Sequence, residues 1–385
     1  MDFDLNDEQR LLQESVDRLM ADRYDFDQRI KTHGKSDEGW SREMWSQYAE
    51  LGLLGLPFSE EDGGIGGGPI ETMIVMEAFG KALVLEPYLG TVILGGGFLR
   101  EAGSAAQKSA LIPEIVSGDL ILAFAQIERQ SRYDLHDVAT TAKKDGSGWV
   151  LNGAKSVVLH GDSADKLIVT ARVSGNRRDR DGIGLFIVDG NAPGVTRRGY
   201  ATHDGLRAAD ITLENVKVGA DSAIGEPGKA LPLIEKVVDQ AIAAICAEMV
   251  GVMASAHEIT LDYIKTRTQF DTAIGKFQVL QHKAVDMLVA LEQARSMAMY
   301  ATMMVSEPDA AQRRRAIAAA KVQAGRSGRL VGQHAIQLHG GIGITMEYKV
   351  GHYFKRSTAI DTTFGDADYH LKQVADAGGL VTADD

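Results

Sequence analysis

The chain has 385 residues, of which 44% are hydrophobic and 24% are charged, and its formal net charge is −12. A chain of this length can hold about two or three domains with a core each, and the composition is that of a soluble globular protein. The acidic balance disfavours binding to nucleic acid phosphates, and the single cysteine excludes an intramolecular disulfide.

The acidic opening Met1-Asp2-Phe3-Asp4 is not typical of a secretory signal. No uninterrupted apolar stretch approaches the length that spans a bilayer. We therefore expect a cytoplasmic protein without membrane attachment, and we predict no metal site.

Residues 1–119 are predicted to form a helical domain, because apolar residues recur at helical spacing in several segments. Asn6 and Asp7 are suitable N-caps for an amphipathic first helix. The glycine-rich run 62–69 is predicted to be a turn and not a nucleotide-binding loop, since it has no preceding strand and no Lys-Ser or Lys-Thr pair. Further helices are predicted at 41–51, 69–83, 93–102 and 105–117.

From residue 120 the pattern changes to short β-branched segments separated by Gly, Asp and Asn turns, which predicts an all-β middle domain over 120–229. Helical periodicity then resumes and predicts a C-terminal helical domain over 230–385. This order predicts three domains, the outer two packed as helical bundles. The predicted strands cover 121–126, 138–142, 149–151, 166–170, 184–188, 195–196 and 209–213.

One long amphipathic helix is predicted over 232–270. Glu248 lies on its apolar stripe, three residues after Ile245 and four before Val252, so its carboxyl points toward the core. A buried carboxylate is costly unless it is paired or used. Glu248 therefore either hydrogen-bonds a neighbouring helix or, with a pKa raised by burial, serves as a general base.

The run Arg267-Thr268-Gln269-Phe270, then Phe277-Gln278, then Gln337-Leu338-His339-Gly340-Gly341-Ile342-Gly343, resembles the acyl-CoA dehydrogenase family. The combination is specific in this order and spacing, and the resemblance extends over nearly the whole chain. Ala247-Glu248-Met249-Val250-Gly251 and Phe364-Gly365-Asp366-Ala367-Asp368 are most similar to the small subunit of two-subunit enzymes of the pimeloyl-CoA dehydrogenase type. The resemblance implies an N-terminal α bundle, a middle β-barrel and a C-terminal four-helix bundle.

The resemblance also implies flavin adenine dinucleotide (FAD) as cofactor and α,β-desaturation of an acyl-CoA thioester. In the family a carboxylate takes the α proton while hydride leaves the β carbon for the flavin. The C-terminal elements of one subunit reach the flavin of its neighbour in the family's tetramers. Arg267 suits a pyrophosphate oxygen, or it is a cation that stabilises a helix C-terminus. The cofactor-binding residues implied in this way are Arg267, Gln269, Phe270, Gln278, Gln337, Gly340, Gly341, Asp366 and Asp368.

The sequence departs from the family where a subunit holds its own flavin. The family's Thr-Glu-Pro-Gly-Ala-Gly-Ser loop corresponds to residues 127–133, Ile-Glu-Arg-Gln-Ser-Arg-Tyr, and its ring-contacting Trp and Thr correspond to Val157 and Leu159. Leucine cannot donate the hydroxyl hydrogen bond that threonine provides. The two positions of the family's base fall at Gly365 and Ala241, neither of which can take a proton.

Glu248 is then the candidate catalytic residue, about two turns along the helix from Ala241. Asp366 is a weaker candidate base. Asp366 and Asp368 otherwise bind the adenosine end of the cofactor or cap the last helix.

Three functions stay open. The preferred hypothesis is a small subunit that completes the flavin site of a large acyl-CoA dehydrogenase subunit in a tetramer. The second is a self-sufficient homotetramer that uses Glu248 as base, and the third is a non-redox subunit for acyl-CoA binding or assembly. The family's electron acceptor is an electron-transferring flavoprotein. The sequence leaves dicarboxylic, aromatic and steroid side-chain acyl groups open as substrates.

Overall fold

The structure is a computed structural model that describes residues 5–31 and 35–379. The acidic opening 1–4 lies outside these residues. The helices are α1 (Asp7–Arg23), α2 (Phe26–Lys31), α3 (Arg42–Glu50), α4 (Pro69–Ala82), α5 (Gly96–Ala102), α6 (Ala105–Ser117), α7 (Leu231–Thr266), α8 (Gln278–Met304), α9 (Ala310–His339), α10 (Val350–Thr362) and α11 (Ala367–Asp376). The strands are β1 (Leu122–Ala125), β2 (Thr141–Asp145), β3 (Gly148–Leu159), β4 (Lys166–Arg172), β5 (Ile183–Asp189), β6 (Val195–Ala201), β7 (Arg207–Val218), β8 (Thr268–Gln269) and β9 (Thr272–Ala273).

The order of helices, strands and helices confirms the predicted fold class, which is mainly helical with a central β domain. The described chain groups into two compact units, each discontinuous in sequence. The unit that we call the helical unit comprises the described parts of Met1–Arg29, Pro69–Val84 and Ile242–Asp385. The unit that we call the sheet unit comprises the described parts of Ile30–Gly68 and Leu85–Ala241. The domain limits at 119 and 229 stay a prediction.

The sheet unit is built on one curled sheet in the strand order β1-β4-β2-β3-β7-β6, with β5 paired to β4. Its longest pairing joins β3 and β7, which run antiparallel. Their register slips between Leu151 and Gly153 and again between Lys155 and Val158. Each slip is a β-bulge, in which extra residues of one strand oppose a single residue of the other.

In the helical unit, α9 packs against α8, α10 and α11, and α1 packs against α4. The part of α7 in this unit crosses α4 at Gly80 and Gly251. A Cβ atom at Gly80 would overlap the carbonyl oxygen of Glu248, and one at Gly251 would overlap the carbonyl oxygen of Glu77. The two helix backbones therefore approach closely because both residues lack a side chain.

The predicted helix over 232–270 is wrong at its C-terminal end, because α7 ends at Thr266. The chain turns there into the β8–β9 hairpin, whose loop is Phe270-Asp271. Both loop residues have positive φ, 53° and 58°, as a two-residue type I′ turn requires. Asn and Gly usually occupy such a turn, but this loop contains neither. Its residues therefore do not indicate a turn, and the apolar periodicity predicts a continued helix.

Among the described residues, α7 alone is long and apolar enough to cross a membrane, and 89% of its most apolar window is buried. Burial of this extent is typical of a core helix.

Candidate functional site

Four of the predicted cofactor-binding residues lie at the C-terminal end of α7 and the start of α8: Arg267, Gln269, Phe270 and Gln278. All four are exposed, and Phe270 is 87% exposed. Its ring meets the Phe277 ring edge-on at 6.3 Å. Within the described chain the Arg267 guanidinium makes no hydrogen bond or ion pair, and the Arg267 carbonyl accepts from the Ile274 N–H at 2.9 Å, which fixes the hairpin.

The end of α9 lies beside this cluster. Tyr263 near the end of α7 stacks on His339, the last residue of α9, with ring centroids 4.4 Å apart. Gln337, Gly340 and Gly341 are exposed, and a Cβ at either glycine would have open space around it. The structure therefore brings the Arg267 and Gln337 motifs to one exposed surface, which we call the α7–α9 surface.

Asp366 and Asp368 lie elsewhere in the helical unit. Asp366 is the N-cap of α11 and accepts the Tyr369 N–H at 2.8 Å, which confirms the predicted cap. The preceding Gly365 carbonyl accepts from Lys321 Nζ at 2.8 Å. Lys321 precedes Gln337 on the same helix by sixteen residues, or about 24 Å. Within one chain these carboxylates are therefore separated from the α7–α9 surface.

Glu248 is buried and paired with Arg356 of α10. The guanidinium donates from Nε to Oε1 at 2.6 Å and from Nη2 to Oε2 at 2.8 Å. Glu248 is 4% exposed and Arg356 7%. Both carboxylate oxygens of Glu248 are engaged in this bidentate pair, so the geometry supports the structural alternative for Glu248 over the catalytic one. Its role as base stays a prediction.

The sheet unit contains a second buried ion pair, between Glu128 and Lys155. Lys155 Nζ donates to Glu128 Oε1 at 2.7 Å and to Thr170 Oγ1 at 2.9 Å. The carboxylate also accepts the N–H groups of Ala139 and Thr140 at 2.9 and 3.0 Å. Burial opposes its ionisation, but Lys155 and these hydrogen bonds together lower the pKa of Glu128 to about 2. Burial lowers the pKa of Lys155 to about 8. The loop that follows β1 is thus fixed by a satisfied polar network.

Beside this loop a cleft of about 570 Å³ opens on the sheet unit. Ile127 and Val157 supply its apolar part, and Val157 is 45% exposed. Tyr200 and Asp210 lie on its polar side. Leu159 does not line the cleft. The positions where the sequence departs from the family at 127 and 157 therefore do meet at one cleft.

Sequence reasoning missed Arg356 and Asp210. Arg356 comes 108 residues after Glu248, and its helix has no motif that marks it. The sequence pattern predicts only that Asp210 lies in a strand. Its pairing with the bulge in β3 depends on a register that the sequence pattern does not specify.

Three family models match consecutive parts of the chain: the acyl-CoA dehydrogenase N-terminal domain at residues 6–119, the middle domain at 123–216 and the C-terminal domain at 231–379. The chain belongs to the acyl-CoA dehydrogenase family.

Individual acyl-CoA dehydrogenases and related structures support the assignment along the whole chain. A probable acyl-CoA dehydrogenase of Bacillus subtilis, YngJ, is 29% identical over 384 residues, with 97% of this chain and 99% of the relative covered. A chain of the ChsE4–ChsE5 complex of Mycobacterium tuberculosis superposes with a TM-score of 0.89 at 26% identity, and each chain is fully covered. The FAD complex of PigA superposes with a TM-score of 0.90 at 26% identity, covering 99% of this chain and all of PigA.

Acyl-CoA dehydrogenases use FAD, and the two units of this chain differ in how well they suit it. On the α7–α9 surface, an unpartnered guanidinium, exposed amides and open glycine backbone fit a pyrophosphate and its adenosine. At the cleft, Ile127 and Val157 have no hydroxyl or indole group for the flavin ring, and Asp210 adds a carboxylate to a polar lining that also includes Ser156 and Tyr200. The side chains at positions 127 and 157 do not fit a flavin ring.

Proposed function

We propose that this chain is the small subunit of a heteromeric acyl-CoA dehydrogenase, and that its α7–α9 surface completes a flavin site held mainly by an unlike, larger subunit. The observation that carries the proposal is the contrast within one chain: the exposed residues on the α7–α9 surface suit FAD, whereas the cleft of the sheet unit does not.

The charge on the α7–α9 surface supports this role. Arg267 is an exposed cation without a partner in the described chain, and such a guanidinium forms strong hydrogen bonds to phosphate oxygens. Gln269 and Gln337 supply amide donors, and Phe270 presents an aromatic face at 87% exposure. An exposed aromatic side chain of this kind is stabilised when a partner buries it.

The division of chemistry follows from the same residues. FAD, when bound, accepts the hydride that leaves the β carbon of the acyl group. Arg267 and the amides hold and orient the cofactor. Glu248 is engaged by Arg356, so we assign removal of the α proton to a carboxylate of the large subunit.

Two further elements belong to the proposal. We infer a tetramer of two kinds of chain, and the resemblance to a chain of the ChsE4–ChsE5 complex supports the presence of an unlike partner. The relation to pimeloyl-CoA dehydrogenase small subunits, electron-transferring flavoprotein as acceptor and a cytoplasmic location rest on the sequence resemblance and composition.

The self-sufficient homotetramer is the weaker alternative. It requires Glu248 to act as base, and this carboxylate would first have to leave both hydrogen bonds of a buried ion pair. The non-redox alternative does not account for the preserved Arg267 and Gln337 motifs.

The test is to purify the chain alone and together with a co-expressed large subunit, and to record the visible absorbance of each. We expect no flavin bands in the lone chain and flavin with acyl-CoA-dependent bleaching in the complex. Arg267→Ala should raise the Kd of the complex for FAD at least about tenfold, which corresponds to about 1.4 kcal/mol of binding free energy, and so lower its flavin content. Lys265→Ala, which removes an exposed cation two residues earlier, is the matched control. A complex that forms without flavin, or that keeps full flavin with Arg267→Ala, would contradict the proposal.

A further inference from the structure

The second bulge of β3 gives the cleft its shape. Lys155 pairs with Ile211 of β7 and Val158 pairs with Ala209, so Ser156 and Val157 together oppose Asp210. Val157 adopts a φ of 52°. A β-branched residue is strained in this left-handed region, and such strain persists only where surrounding contacts impose it.

Asp210 supplies those contacts. Its Oδ1 accepts the Val157 N–H at 3.4 Å and the Tyr200 hydroxyl at 3.3 Å. Its Oδ2 accepts from Arg198 Nη2 at 2.8 Å. Arg198 lies directly opposite Asp210 in the pairing of β6 with β7. Two side chains of β6 therefore hold the Asp210 carboxylate of β7 against the bulge in β3.

The carboxylate keeps its charge at neutral pH. The hydrogen bond from Arg198 lowers the pKa of Asp210 below its usual value. Burial, followed by the charge of Asp210, raises the pKa of Tyr200, so the phenol stays a donor to the carboxylate. Arg198 is 75% exposed, so its own charge is largely solvated.

This arrangement is unfavourable for a flavin ring. The pyrimidine part of the ring carries carbonyl oxygens, which accept hydrogen bonds, and the reduced ring carries negative charge. An ionised carboxylate offers no donor, and Asp210 already accepts the hydrogen bond of the Val157 N–H. A ring carbonyl placed against the Asp210 carboxylate would therefore leave both acceptors unsatisfied.

We propose that Asp210, held by Arg198 and Tyr200, excludes flavin from the sheet unit of this chain. The stoichiometry that follows rests on the proposed heteromeric function. In such an enzyme, the complex carries one flavin for each pair of unlike chains, in the sheet domain of the large subunit.

The experiment compares flavin binding to the lone chain in matched variants. The background variant is Ile127→Thr, Val157→Trp, Leu159→Thr, which supplies the side chains that the family places beside the ring. The second variant adds Asp210→Ala to this background, and the third adds Asp210→Asn, which keeps an acceptor for the Val157 N–H but removes the charge. Binding is measured by quenching of added FAD fluorescence, and circular dichroism with a thermal melt verifies folding.

We expect no saturable FAD binding by the wild-type chain or the background variant up to the highest concentration used, and saturable binding by both Asp210 variants with a Kd at least about tenfold below that concentration. Where Asp210→Ala lowers the melting temperature too far, Asp210→Asn carries the comparison. Saturable FAD binding by the wild-type chain, equal binding by all variants, or no binding by folded Asp210 variants would each overturn the assignment. Flavin content of the complex is measured separately, so a colourless complex refutes the proposed function and leaves the exclusion by Asp210 intact.

Discussion

Arg356 donates two hydrogen bonds to Glu248, of 2.6 and 2.8 Å, in the interior of the helical unit. The pair links α7 to α10, since the residues are 108 positions apart. Both side chains are buried, so the two charges compensate each other within this pair. The ion pair accounts for a carboxylate on the apolar stripe of α7 without a catalytic role.

Removing one partner of this pair should destabilise the protein more than removing both. Glu248→Gln leaves a buried guanidinium without its counter-charge, for which we expect a loss of about 3–5 kcal/mol in unfolding free energy. The double variant Glu248→Gln, Arg356→Met should recover part of that loss. Urea denaturation of the wild type, the two single variants and the double variant gives the four unfolding free energies and hence the recovery. Activity of the complex that disappears with Glu248→Gln at unchanged stability would instead favour the catalytic role.

The Glu128–Lys155 network predicts a specific loss of stability in acid. The pKa of Glu128 is about 2 in the fold against an ordinary value of 4.5. A carboxyl with a lowered pKa stabilises the fold fully above its ordinary pKa, and this contribution, about 3 kcal/mol, is lost as pH falls from 4.5 toward 2. Urea midpoints between pH 6 and pH 2.5 report the loss. Glu128→Gln, already weakened at neutral pH, should show a shallower decline; parallel curves would refute the prediction.

Lys321 is predicted to stabilise the turn between α10 and α11. Its ammonium is buried and donates to the backbone carbonyls of Ile360, Asp361 and Gly365 at 2.7–2.8 Å. Lys321→Met removes this donor from all three, so we expect a loss of about 3 kcal/mol. Thermal melts measure it, with Lys372→Met, an exposed lysine of α11, as control. Equal melting temperatures for the two variants would show that the carbonyls do not depend on Lys321.

The close crossing of α4 and α7 predicts that Gly251 tolerates no side chain. A Cβ there would overlap the Glu77 carbonyl, so Gly251→Ala forces the helices apart and should cost about 3 kcal/mol. Gly341→Ala is the control, because its Cβ would meet no atom within 4 Å. Calorimetry of both variants checks the difference. A stabilised Gly251→Ala protein would mean that the crossing relaxes freely.

Local patterns predicted most of the fold. Asn6 caps α1 as expected, and its side chain accepts the Gln9 N–H at 2.8 Å. The glycine-rich run 62–69 forms a turn before α4, as predicted. Helix periodicity, strand composition and turn residues are local signals, so the helices, strands and turns that depend on them can be predicted from sequence. The hairpin after α7 was missed because its Phe270-Asp271 loop lacks the usual turn residues.

The site was harder to predict, because its decisive contacts are long-range. The motif around Arg267 and the motif around Gln337 are each a continuous stretch of sequence. The structure brings the two stretches together through the stacked rings of Tyr263 and His339. The contact of Asp210 with Val157 depends on a bulge that shifts the register of two strands, and no residue pattern in β3 specifies it.

The Glu128 network also bears on how the chain folds. Every hydrogen bond described for that carboxylate comes from the chain itself, from Lys155, Gln130 and the backbone of residues 139 and 140. The loop after β1 is thus held by groups of the chain itself. Under the heteromeric proposal, a shortage of the vitamin precursor of FAD would limit maturation of the large subunit alone, and this chain would accumulate as a folded, colourless pool ready for assembly.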